Sequence, residues 1–131
     1  MTCAYLDSSA LVKLVIEEEE SRALAHDLTH VDVVVTSIIG RVELERAVRR
    51  RHHAAFLDSI EQVLAGVVLI PLDVAIAAVA SRIVPEGLRT LDAIHIATAT
   101  AVSDDLDCCY CYDQRLSDGL TQRGFKVVAP A

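Results

Sequence analysis

Residues 3–18, "CAYLDSSALVKLVIEE", decide the fold. "CAYL" (3–6) is short and apolar and suits a strand, whereas "SSALVKLVIEE" repeats its apolar residues at helical spacing. Asp7 stands at the junction, and Ser8 is a candidate N-cap for the helix. No Gly-rich loop follows the strand, which removes dinucleotide-binding and P-loop readings.

The alternation continues outward from this stretch. "SRALAHDLTH" reads as a second helix, "VDVVVT" (31–36) as a strand, and Ser37 as the cap of a helix from residue 38 to about 51. "AAFLDSIEQVLA" reads as a helix and "VVLIPL" (67–72) as a strand, with Asp73 capping a helix that runs through residue 83. A loop with Pro85 and Gly87 leads into the helix of "TLDAIHIATAT" (90–100). "DCCYCY" (107–112) is a fourth strand, a last helix ends at Gly124, and "FKVV" is a fifth strand. Strands separated by helices predict one α/β domain over residues 1–131. Its central sheet is expected to be five-stranded and mostly parallel, with helices on both faces in three layers. Ligands of such sheets lie beyond the carboxyl ends of the strands.

Composition narrows the function. Hydrophobic residues make up 53 % of the chain and mean hydropathy is +0.39, so a partner or a second copy is expected to cover apolar surface, supplied by helices at 9–30 and 38–65. Aromatic residues are 4 % with no Trp, which disfavours base stacking on aromatic platforms. The net charge of -7 argues against a protein that coats phosphates. "VVLIPLDVAIAAVA" is broken by Pro71 and Asp73, and no basic segment precedes the first apolar residues, so no membrane association and a cytoplasmic location are expected. Cys108 and Cys111 have CxxC spacing but no second ligand pair, which makes Cys3, Cys108, Cys109 and Cys111 reduced core thiols.

Acidic residues fall where the strand ends are expected. Asp7 follows the first strand and Asp113 the fourth; Glu43 lies in the helix after the second, and Asp92 opens the helix before the fourth. Convergent carboxylates call for protonation or for a hard dication such as Mg²⁺ or Mn²⁺. Each acid also has a plainer reading: Asp7 as a cap, Glu43 as a partner of Arg46, Asp92 as an answer to a helix dipole, Asp113 as a turn opener. Spacing alone does not separate a metal site from four unrelated acids. His95 shares a helix face with Asp92 and is expected to be a packed histidine steadying the helix or a carboxylate neighbour. His26 and His30 read as a surface pair, and the adjacent His52 and His53 diverge on a helix. Arg46, Arg49 and Arg50 share a helix face suited to RNA phosphates or to a helix C-terminal dipole.

At these residues the chain resembles the PIN domain family, of the kind found as VapC toxins. "YLDSSALVKL", "TSIIGRVELERA", "LRTLDAIHIATA" and "YDQRL" resemble the family's motifs in the family's order. The resemblance implies a PIN-like fold and a metal site of Asp7, Glu43, Asp92 and Asp113, with Ser8 and Ser37 behind it. It implies a Mg²⁺- or Mn²⁺-dependent endoribonuclease leaving 5′-phosphate ends, a VapB-type antitoxin and a homodimer. Cys111 departs from the family's frequent Thr and puts a thiol where a hydroxyl is expected. The alternatives are a PIN fold that only binds a partner, or another metal-dependent phosphohydrolase. A dehalogenase-type phosphotransferase would need a second Asp at Ser9, and an adhesion domain a Ser at Leu11.

Overall fold

A computed structural model describes residues 1–51 and 56–131. Strands β1 (Cys3–Leu6), β2 (Val33–Ser37), β3 (Val67–Ile70), β4 (Cys108–Tyr110) and β5 (Val127–Val128) form one sheet in the order β3-β2-β1-β4-β5. All four pairings are parallel, with Tyr5 beside Val35 on one side and Cys109 on the other. The helices between them are α1 (Ser8–Val15), α2 (Ser21–Leu28), α3 (Ile38–Arg51), α4 (Leu57–Ala65), α5 (Val74–Ser81), α6 (Thr90–Ala101) and α7 (Gln114–Gln122). The chain walks outward from β1 to β3, then returns to the other side of β1 for β4 and β5. This reversal puts a crevice at the carboxyl ends of β1 and β4, where doubly wound sheets bind ligands.

Alternation along the strands builds two cores. Ala4, Leu6 and Tyr110 face α1, α3 and α4 together with Leu11, Leu24, Leu44, Val48 and Ile60. Tyr5, Val35, Cys109 and Cys111 face the opposite way, toward Ile96, Ala99, Leu116 and Leu120. The free thiols of Cys109 and Cys111 are buried, and burial pushes both up to about 12, which makes them inert. Among the described residues of 9–30 and 38–65, many Leu, Val and Ile pack in the first core, while Val42 is half exposed. Among the described residues the large apolar side chains left exposed include Val68, Val74, Val79 and Val84.

Local chemistry moves several boundaries. The cap of α1 is Asp7 and not Ser8: Asp7 Oδ1 accepts from the Ala10 amide at 3.1 Å. That helix stops at Val15; beyond it Lys13 reaches Glu18 at 3.1 Å and Glu20 at 2.7 Å, and Arg51 closes on Glu18. Strand β2 starts later than expected, because the Val31 amide bonds back to Leu28 and Asp32 accepts from the Thr2 amide. Phe125 stays outside β5, since Gly124 at φ +87 turns the chain and the Phe125 amide returns to Leu120. The expectations for His52, His53 and the first turn of "AAFLDSIEQVLA" lie outside the described residues.

Candidate active site

Two aspartates reach the crevice by capping helices. Asp7 sits in extended backbone after β1, and its Oδ1 accepts from the Ala10 amide at 3.1 Å and the Ser9 hydroxyl at 2.7 Å. Asp113 does the same for α7, accepting from the Leu116 amide at 3.0 Å. At Asp113 the cap takes Oδ1 alone, whereas at Asp7 the cap takes Oδ1 and the Cys111 thiol donates to Oδ2 at 3.3 Å. Both residues cap a helix and both line the crevice, so the two placements are compatible.

Glu43 comes from the second turn of α3 and Asp92 from the first turn of α6. With Asp7 and Asp113 they line one cavity of about 370 Å³, whose walls include Ser8, Ser9, Arg89, Thr90 and His95. The four acids thus converge from four elements. Asp7 is 2 % exposed, and burial raises its carboxyl above the usual range, partly offset by the Ser9 hydroxyl. Burial also raises Asp92, and the neighbouring Asp113 charge adds to the effect. Asp92 Oδ2 is buried with no hydrogen-bond partner. A buried carboxylate oxygen left bare is costly unless a ligand meets it. Among the described residues no group of three or more Asp, Glu, His or Cys side chains is already arranged to hold a metal ion.

Glu43 does not pair with Arg46; its Oε1 lies 2.6 Å from His95 Nε2. His95 is 1 % exposed, and its Nδ1 meets the Tyr5 hydroxyl at 2.7 Å. It is the packed histidine expected, but the carboxylate it steadies is Glu43 and not Asp92. Ser8 lines the cavity, while the hydroxyl bonded to Asp7 belongs to Ser9, which also accepts from the Tyr112 amide. Ser37 touches no carboxylate; its amide donates to the Tyr5 hydroxyl and its Oγ accepts from Ile39. Cys111 Sγ stands 3.3 Å from Asp7 Oδ2, so the thiol takes the contact anticipated for a hydroxyl.

Tyr5 and Arg89 belong to the site without having been singled out in the sequence, and Ser9, not Ser8, supplies the hydroxyl to Asp7. A tyrosine in a strand with apolar neighbours on both sides needs a hydroxyl partner, and that demand was the available signal for Tyr5. The basic trio divides. Arg49 is tied to Glu45 at 3.0 Å, whereas Arg46 and Arg50 line a second groove that shares Ser8, Glu43, Ala47 and Leu91 with the acidic cavity. His26 and His30 are exposed, their rings edge to face at 5.5 Å.

Comparison with known proteins follows the same lines. The PIN domain family model matches residues 4–107. The chain is 38 % identical over 131 residues to "Ribonuclease VapC46" of Mycobacterium tuberculosis, covering 100 % of both chains. It is 37 % identical over 130 residues to "Ribonuclease VapC47" of the same species, covering 96 % of each. Among solved structures, Mycobacterium tuberculosis VapC20, described as a Sarcin-Ricin loop cleaving toxin, superposes with a TM-score of 0.78 at 17 % identity, covering 97 % of this chain and 99 % of that one. A chain of VapBC2 from Rickettsia felis, solved bound to a promoter DNA fragment, gives a TM-score of 0.74 at 10 % identity over 99 % of this chain and 100 % of that one.

Proposed function

The chain belongs to the PIN domain family, alongside the VapC ribonucleases, and from that premise we propose that it is a Mg²⁺- or Mn²⁺-dependent endoribonuclease acting as a toxin. The observation that carries the metal reading is Asp92 Oδ2, buried and unpartnered in a cavity it shares with Asp7, Glu43 and Asp113. An all-oxygen donor set of this kind fits a hard dication. Asp7 and Asp92 would hold the ion, with Glu43 and Asp113 completing its surroundings. A dication bound there supplies Lewis acidity toward water and phosphate oxygens.

The chain's own residues do the rest. Asp7 and Asp113 are held in place by the helices they cap, so their carboxylates are oriented before any ligand arrives. Arg46 and Arg50 offer the RNA backbone two cations beside the acids; among the described residues neither forms an ion pair. Arg89 lines the acidic cavity itself. His95 does not carry protons to solvent, because it is buried and both ring nitrogens are engaged.

A VapB-type antitoxin is the expected inhibitor. A homodimer is also expected, with Val74, Val79 and Val84 available to its interface. Sedimentation of the isolated chain checks this, and a monomer at all concentrations rules the dimer out. Among the described residues no helix is long and apolar enough to cross a membrane, and action in the cytoplasm is part of the proposal. The test of function is incubation of the purified protein with total RNA, with and without Mn²⁺, followed by mapping of cut ends. Discrete ends bearing 5′-phosphate, absent with chelator and absent for Asp7→Asn, are expected. Cleavage that persists in chelator or in Asp7→Asn refutes the assignment.

A further inference from the structure

A buried chain of hydrogen bonds runs from the floor of the sheet to the acidic cavity. The Ser37 amide donates to the Tyr5 hydroxyl oxygen at 3.3 Å. The Tyr5 hydroxyl lies 2.7 Å from His95 Nδ1, and His95 Nε2 lies 2.6 Å from Glu43 Oε1. Tyr5 and His95 are 0 % and 1 % exposed, and their rings pack edge to face at 5.8 Å. Neither side chain is open to bulk solvent.

The cavity end sets the direction of the chain: the Glu43 carboxylate only accepts, so the proton of that contact sits on His95 Nε2. A neutral imidazole protonated there accepts at Nδ1, and the donor it meets is the Tyr5 hydroxyl, whose oxygen also accepts from the Ser37 amide. An imidazole accepting at Nδ1 is neutral and carries its proton on Nε2, from which it donates to Glu43. A fixed imidazolium in this place would compete with a dication for the same carboxylate; the neutral tautomer orients Glu43 without that competition.

The backbone is shaped for this contact. A Cβ on Gly40 would stand 2.6 Å from Thr36 Oγ1 and 3.6 Å from His95 Cε1. The glycine lets α3 lie close enough for Glu43, one turn on, to reach His95. Among the described residues no hydrogen bond claims Glu43 Oε2, which is left for the cavity.

We propose that His95 is a positioning residue: locked as the Nε2–H tautomer by Tyr5, it grips Glu43 by one oxygen and offers the other to the cation. The proposal rests on the reading of the cavity as a cation site. Partners that orient metal-binding groups in this way typically change metal affinity roughly 10- to 100-fold when removed.

The test has a metal-free arm and a metal arm. Long-range ¹⁵N–¹H correlation spectra of the metal-free protein at neutral pH are expected to show His95 with a bare Nδ1 and a protonated Nε2, and Tyr5→Phe is expected to disturb that signature. A protonated Nδ1 in the wild type overturns the proposal. In the metal arm, Mn²⁺ is titrated calorimetrically into wild type, Tyr5→Phe, His95→Leu and His95→Gln, with melting temperatures measured in chelator. His95→Leu is expected to bind Mn²⁺ roughly tenfold or more weakly. His95→Gln, whose amide can donate from near the Nε2 position, is expected to recover most of that affinity while melting like His95→Leu. Unchanged affinity in His95→Leu, or affinity that tracks melting temperature across all variants, overturns the proposal. A wild type that shows the expected tautomer but binds no Mn²⁺ overturns the cation reading instead, and the positioning role falls with it.

Discussion

Asp92 shows how one side chain trades stability for a ligand. Burial and the Asp113 charge raise its carboxyl, and burial raises that of Asp7. The folded state then binds more protons than the unfolded state between about pH 4, where ordinary aspartate titrates, and the raised values. Metal-free stability is therefore expected to fall as pH rises through that window. Asp92→Asn removes one such group and keeps a side chain of similar size. It is expected to melt higher than wild type at neutral pH in chelator, to show a flatter melting profile against pH, and to lose Mn²⁺-dependent cleavage. Calorimetric melts from pH 4 to 8 check this, and a lower melting temperature for Asp92→Asn at neutral pH contradicts it. The arginines make a second residue-scale contrast. Charge reversal at Arg46 and Arg50 is expected to weaken RNA binding and flatten its salt dependence, because each lost phosphate contact lowers the slope. Arg49→Ala, which breaks only the pair with Glu45, is expected to leave the slope unchanged. At this scale the sequence exposed the acids but not their partners. Neighbours three or four apart on a helix are readable, so Arg46 was offered to Glu43; the true partner, His95, comes from a different helix, and only the fold brings it there.

The elements were largely legible because their boundary signals are local. Asp73 accepts from the Ile76 amide and Ser37 from the Ile39 amide, as the capping patterns indicated. Where expectation and structure part, a non-local contact wins. The sequence puts the start of β2 at Val31, but the Val31 amide turns back to Leu28 and Asp32 accepts from the Thr2 amide, so the strand begins at Val33. Helix α3 also carries the constraint that most affects the site. Gly40→Ala drives a methyl into the Thr36 hydroxyl, and overpacking of this kind typically costs about 1–3 kcal/mol. Because the clash sits one turn before Glu43, the substitution is expected to lower the melting temperature and Mn²⁺ affinity together. An unchanged melting temperature would show that α3 and β2 are not in close contact.

At the scale of the molecule, the topological switch does the gathering. The chain leaves β1 for β2 on one side and returns to β4 on the other, so the segments after β1 and β4 deliver Asp7 and Asp113 to the same crevice, with α3 and α6 adding Glu43 and Asp92. The order of elements and the parallel sheet followed from the alternation of strand and helix, and the position of the crevice followed from the sheet. Composition was a poorer guide: high hydropathy did not reveal how many of the described apolar side chains in 9–30 and 38–65 turn inward, because a moderate-sized chain must fill two cores, one on each face of the sheet. The account as a whole turns on whether these four carboxylates hold a dication. Anomalous scattering at the manganese edge, from crystals of the protein soaked in Mn²⁺, tests this most directly. The expected result is a peak in the cavity in contact with Asp92 Oδ2 and with Asp7, lost in Asp92→Asn; a well-ordered cavity with no peak, or a peak only elsewhere on the molecule, would contradict it.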